Sequence, residues 1–161
     1  MNKEQLGTHL LIIPAEEILD ELIRLSMLGE LKELSTEEYW LLLKDSWSMS
    51  NAHNDRKNNW LYLFNQKPII PSNTKGLPNE FIIYRAGDSK GLSWTLSREK
   101  ANWFQKRNKL FESTEPNLKD IVNEIWFIST TRKKVFFYTD AREEKEVVLD
   151  PEFLMPMKYS G

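Results

Sequence analysis

Three short stretches in the second half of the chain carry side chains whose types and spacing suit chemistry. The first is Tyr84-Arg85-Ala86-Gly87, an arginine at a strand end beside a glycine turn. Arginine there can grip a phosphate or a ribose through its planar fork of donors. The second is Gly91-Leu92-Ser93-Trp94-Thr95-Leu96-Ser97, followed by Ala101, Trp103 and Phe104. In an extended segment Ser93 and Thr95 point to one face and set two hydroxyls side by side, with Trp94 on the other face. The third is Glu143-Glu144-Lys145-Glu146-Val147-Val148-Leu149-Asp150-Pro151, in which Glu144 and Glu146 stand two apart at the entrance to an apolar strand. A carboxylate held there can stabilise a developing positive charge. Each stretch also has an ordinary reading, as an exposed arginine, a strand with a serine-capped helix, and a solvated charge run in a hairpin.

The rest of the composition narrows the chemistry. The chain of 161 residues has no cysteine, which excludes disulfides, thiolate metal sites and cysteine nucleophiles together. With only His9 and His53 as histidines, no metal site is expected. What remains is Arg, Ser, Thr and Glu. The aromatic load is high, with six Trp, five Tyr and eight Phe, and composition alone does not decide between core and pocket. Ten acids against four bases in residues 1–46 give way to 18 bases against 14 acids in the remainder. That mild basic excess is too interspersed to indicate nucleic-acid binding, although Arg98, Lys100, Lys106, Arg107, Lys109 and residues 132–134 leave a weaker nucleotide-linked reading. No apolar run reaches the roughly 20 residues of a membrane span. The short run from Leu10 to Ile13 lacks the features of a signal peptide, so a cytoplasmic protein without a membrane partner is expected.

Periodicity predicts the elements that must position these residues. Pro14, followed by Glu16 and Glu17, opens a helix with apolar positions Ile18, Leu19, Leu22, Ile23 and Leu25, ending near Gly29. Ser35 to Glu38 has capping-box spacing ahead of a second helix through Tyr39 and Trp40 to Leu43. A third is expected over 55–65, with Trp60, Leu61 and Phe64 as its stripe. A Pro-, Asn- and Gly-rich linker follows at 67–79, after a helical part over 1–66. The core over 80–161 is β-rich, with strands at 81–85, 124–129, 134–139, 146–149 and 153–157. Ser97 caps a helix over 98–107 that brings Ala101 and Phe104 back toward the sheet, and another helix is expected around 118–123. The predicted class is α+β, helices first and a small sheet after, in one compact domain.

Taken in order, the arginine on a strand, the Ser-x-Thr segment with its following Ala and Phe, and Glu-x-Glu before Val-Val resemble the Arg–Ser–Glu class of ADP-ribosyltransferases. The wording is most similar to small ADP-ribosyltransferase-like proteins of bacteria and phages, and the resemblance covers about residues 80–156. It implies a split β-sandwich that binds NAD, as substrate and without metal. It further implies that Arg85 supports the dinucleotide, and that Ser93 and Thr95 brace the nicotinamide ribose and the catalytic glutamate. Glu146 would be that glutamate, Glu144 the acid that engages the acceptor, and Trp103 or Phe104 part of the wall around nicotinamide. Transfer of ADP-ribose to an unidentified acceptor, read as a protein, is the implied activity. The alternative is an inactive chain of the same fold that binds and blocks a host or defence protein, with the acidic helices at 14–46 as its face. One departure stands out: only eight positions separate Arg85 from Ser93, where family members usually carry a helix or a long loop.

Overall fold

A computed structural model describes residues 1–50, 56–114, 124–140 and 143–160, with 109–114 as helix backbone alone. The chain forms two compact units, Met1–Asn73 and Thr74–Gly161, and the boundary falls within the 67–79 stretch. The class is α+β, with five α-helices and one six-stranded antiparallel sheet among the described residues.

In the N-terminal unit, α1 (Lys3–Leu11) begins at an Asn2 cap: the Gln5 amide donates to Asn2 Oδ1 at 2.8 Å and the Asn2 amide to Gln5 Oε1 at 3.0 Å. This helix was not foreseen from the sequence. Pro14 stands before a single 3-10 turn, Ala15–Glu17, and α2 (Ile18–Met27) starts after it. Its end is set by Gly29 at φ +76, where the Gly29 and Glu30 amides return to the carbonyls of Ser26 and Leu25. α3 (Thr36–Met49) carries the predicted box, with the Glu38 amide on Ser35 Oγ at 3.1 Å and the Ser35 amide on Glu38 Oε1 at 3.0 Å. α4 (Lys57–Phe64) matches the third predicted helix within the described residues.

The aromatics of this unit stack on one another. Phe64 lies against Trp40 at 6.0 Å and Trp60 at 5.7 Å, both nearly parallel, and Trp47 meets Trp60 edge-on at 5.1 Å. Their polar tips reach backbone: Tyr39 Oη donates to Leu63 O at 2.6 Å and Trp40 Nε1 to Pro68 O at 2.7 Å. Burying each ring therefore leaves no orphaned donor at these two tips.

In the C-terminal unit the strands are β1 (Glu80–Gly87), β2 (Ser93–Thr95), β3 (Glu124–Thr131), β4 (Val135–Thr139), β5 (Glu146–Leu149) and β6 (Met157–Lys158). Their order across the sheet is β4-β5-β2-β1-β3-β6, every pairing antiparallel. β1 pairs with β3 along its whole length, yet meets β2 at one register position, Tyr84 opposite Thr95. Two three-stranded halves thus join at a single residue pair. One face buries Ile83, Trp94, Ile128, Val135, Val147 and Leu149. α5 (Arg98–Thr114) follows β2, is capped by Ser97 Oγ on the Lys100 amide at 3.2 Å, and packs on β1 through a buried Ala101.

Several boundaries differ from the predicted ones, each for a local reason. Ala86 and Gly87 stay paired to Ile125 and Glu124, so β1 outlasts the turn expected there. Residues 132–134 form a 3-10 turn, which delays β4 by one residue. A turn after Asp150 and Pro151 closes with the Leu154 amide on Pro151 O, so the last strand is not at 153–157 but begins at Met157. α5 continues past 107 to Thr114. The helix expected around 118–123 lies outside the described residues.

Candidate functional site

Adjacent strands bring three of the predicted site residues, Ser93, Thr95 and Glu146, together through register. Tyr84, Thr95 and Glu146 form one row across β1, β2 and β5, and Ser93 lies two residues along β2 on the same face. Ser93 Oγ donates a hydrogen bond to Glu146 Oε2. That contact links residues 53 apart in sequence and gives the part-buried carboxylate a fixed orientation. Trp94 points the other way, into the core with Ile83 and Val147, and its Nε1 donates to Gly91 O at 2.9 Å. It belongs to the sheet interior and lines no pocket on the Ser93 face.

Arg85 sits where β1 has parted from β2. Its side chain is 11 % exposed, and its donors turn inward to the chain. Nε donates to Asp88 O at 2.9 Å, Nη1 to Ser93 O at 2.8 Å and Nη2 to Asp88 Oδ2 at 3.4 Å. Gly91 closes the pocket around the guanidinium: a Cβ there would stand 2.1 Å from Arg85 Cζ. Loss of hydration lowers the Arg85 pKa, while Asp88 and then Glu146 act against that loss by favouring the cation. For Asp88 burial pushes the carboxyl up, but the Arg85 charge and the Lys90 amide outweigh it and the net direction is down. A continuous polar path therefore runs from Asp88 through Arg85 and the Ser93 backbone to Ser93 Oγ and Glu146.

The loop before β5 is bound to β2 by a second path. Thr95 Oγ1 donates to Glu144 O at 2.7 Å and itself accepts the Ser97 amide at 3.0 Å, and the Leu96 amide donates to Lys145 O at 3.1 Å. Glu143 and Lys145 both take left-handed backbone, at φ 58 and 47. Non-glycine residues rarely hold that conformation without surrounding support, and such strain clusters at functional loops. Glu144 lies between the two, its carbonyl fixed by Thr95.

Trp103 and Phe104 do not join this constellation. Trp103 is 53 % exposed on α5, with Lys100 Nζ 5.7 Å and the Arg107 guanidinium 5.6 Å from its ring centroid. Phe104 is half-buried and meets Trp103 edge-on at 5.0 Å. Two residues that sequence reading missed complete the site: Asp88 and Gly91. The signal was an acid three positions after the arginine and a glycine two positions before Ser93, which opened the second stretch without being given a role. Comparison of the chain with protein-family models, curated proteins and solved structures finds no match to any of them.

Proposed function

We propose that the C-terminal unit is an NAD-dependent ADP-ribosyltransferase acting on a protein acceptor, built on a split β-sandwich of that family's type. The observation that carries this reading is the Arg85–Ser93–Glu146 path, in which three residue types ordered along the sequence are linked by hydrogen bonds in space. The single Tyr84–Thr95 pair between two sheet halves supports the split architecture.

NAD supplies an ADP-ribosyl group whose nicotinamide departs neutral, so no strong general acid is needed. Glu146 holds the ribose 2′-hydroxyl and faces the positive charge that builds at C1′ as the bond to nicotinamide lengthens. Ser93 keeps the carboxylate in one rotamer, so little reorganisation is needed when the charge appears. Glu144 accepts the proton of the acceptor nucleophile as its bond to C1′ forms. Arg85 acts chiefly as a positioning residue: most of its donors are engaged with Asp88 and Ser93, and it holds the backbone carbonyl of the serine whose side chain meets Glu146.

The test is incubation of the full chain with NAD and cell lysate, measuring released nicotinamide and ADP-ribose adducts by mass spectrometry. Glu146→Gln is expected to lower the rate by about 10²–10³. Wild type no faster than Glu146→Gln overturns catalysis. A second reading, a binding or inhibitory protein of the same fold, is favoured by the exposed Phe153, Met155 and Met157, the first two each 89 % exposed. It predicts a partner captured equally by wild type and Glu146→Gln, and lost on Phe153→Asp.

A further inference from the structure

The side of α5 turned away from the sheet takes no part in the Glu146 site, and its charge is one-sided. Among the described side chains of this helix, Arg98, Lys100, Lys106 and Arg107 stand against the single acid Glu99, which accepts from Ser97 Oγ at 3.2 Å. At about 100° per residue, Lys106, Trp103, Arg107 and Lys100 follow one another around an arc of about 120°. Ala101, the buried residue through which α5 packs on β1, lies on the opposite side. Cations that are interspersed along the sequence are thus gathered by the helix onto one face. Neither Lys100 nor Lys106 has a carboxylate partner among the described residues.

Within that arc Trp103 is 53 % exposed. Of the six tryptophans, all of them among the described residues, it alone is exposed. A single exposed aromatic is ordinary and needs no purpose. This one is bracketed by charge. Lys100, one turn before it, and Arg107, one turn after it, place Nζ and Cζ at 5.7 and 5.6 Å from its ring centroid. A cation, a flat ring and a second cation therefore follow one another along about 10 Å of helix. That order is the complement of phosphate, base and phosphate along a single strand.

We propose that this face of α5 binds single-stranded nucleic acid, a property separate from the reaction proposed for Glu146 and independent of NAD. A base stacks on the Trp103 indole, and the phosphates on either side of it pair with Lys100, Arg107 and Lys106. Stacking displaces a cation from the indole, and the phosphate beside the base takes that cation up. An acidic peptide would meet the charges but offer nothing flat to the indole. A duplex keeps the faces of its bases stacked inside and out of reach.

The probe is a labelled oligothymidylate of about ten nucleotides, within the usual range of single-strand sites. It is titrated into the full chain without NAD, by fluorescence anisotropy over a range of salt concentrations. Saturable binding is expected, with a log–log salt slope of about −2, at about 0.7 for each of three cations. Trp103→Ala should weaken it about tenfold or more, and Trp103→Phe less, because a smaller ring still stacks. Both variants should melt as wild type does, since the side chain is exposed. With unlabelled oligomer, tryptophan emission should be quenched in wild type and unchanged in Trp103→Phe. Lys106→Gln should flatten the salt slope by about 0.7. Absence of saturation at low salt, or Trp103→Ala binding as wild type, overturns the proposal. So does tighter binding of the matching duplex. Displacement of the strand by an oligoglutamate of equal length, at equal concentration, overturns it in favour of an acidic peptide.

Discussion

The two units bury different things. The N-terminal unit buries rings: Trp40, Trp47, Trp60 and Phe64 fill its interior, and the tips of Tyr39 and Trp40 end on backbone carbonyls. The C-terminal unit buries one apolar sheet face, but it also encloses a guanidinium and holds a carboxylate by a serine. Ring burial accounts for itself through area removed from water and needs no further purpose. Enclosing Arg85 does not, since a buried cation is costly unless every surrounding group is placed for it. The contrast places the candidate chemistry in the C-terminal unit, because the N-terminal unit carries none of the Arg, Ser and Glu constellation.

The strongest way to break this contrast is to remove one buried element from each side. Trp60→Ala takes out a ring that contacts both Trp47 and Phe64, and should cost about 3–5 kcal/mol by denaturant unfolding, with amide protection lost in α3 and α4. A cost under about 1 kcal/mol would mean the aromatic cluster is not the interior it looks to be. Gly91→Ala is the matching change in the sheet unit. Its methyl group meets the guanidinium at a distance no contact allows, so Arg85 must leave Asp88 and Ser93. About 1–3 kcal/mol is expected, most of it from groups left unpaired. In an Arg85→Ala background the same substitution should cost much less, and a double-mutant cycle measures the difference. Additivity of the two changes would show that Gly91 does not serve the arginine.

Legibility from sequence followed the range of the interaction. The Ser35–Glu38 box, the Ser97 cap and the Gly29 stop are set within a few residues and were readable. The Asn2–Gln5 box is as local, yet α1 escaped notice because it buries only Leu6 and Leu10 and shows no broad apolar stripe. In the site, alternation put Ser93 and Thr95 on one face and Trp94 on the other, as period two requires. Asp88 and Gly91 were unreadable because their role exists only once the loop has closed on Arg85. Trp103 and Phe104 could not both face the sheet, since neighbours on a helix diverge by about 100°. Trp103 took the outward position, between Lys100 and Arg107.

Smaller changes sharpen how the helical unit is held without adding to its interior. Ser35→Ala removes the cap on the Glu38 amide and should cost about 1 kcal/mol, read as a fall in melting temperature. A cost near zero would place the stop signal of that helix elsewhere.

The smallest expected effect is electrostatic and concerns α1, the helix that sequence reading missed. Glu21 on α2 accepts two bonds from Arg24, one of them from Nε at 3.0 Å, and lies 3.0 Å from His9 Nε2 on α1. The Arg24 hydrogen bond is the main cause that brings its pKa from 4.5 down to about 2, against opposing desolvation, with His9 adding to the lowering. A carboxyl depressed on folding contributes stability that is fully present above its unfolded value and lost as pH falls toward the folded one. The contribution should therefore fade between about pH 4.5 and 2. Glu21→Gln should be slightly less stable than wild type at neutral pH and no different at pH 2. The difference stays small because Arg24 is more than half exposed, where ion pairs are worth about 0–1 kcal/mol. Hydrogen exchange should show the loss concentrated in α1, since Glu21 is what ties His9 to α2. A wild-type advantage that persists at pH 2 would assign the stabilisation to packing and not to this charge.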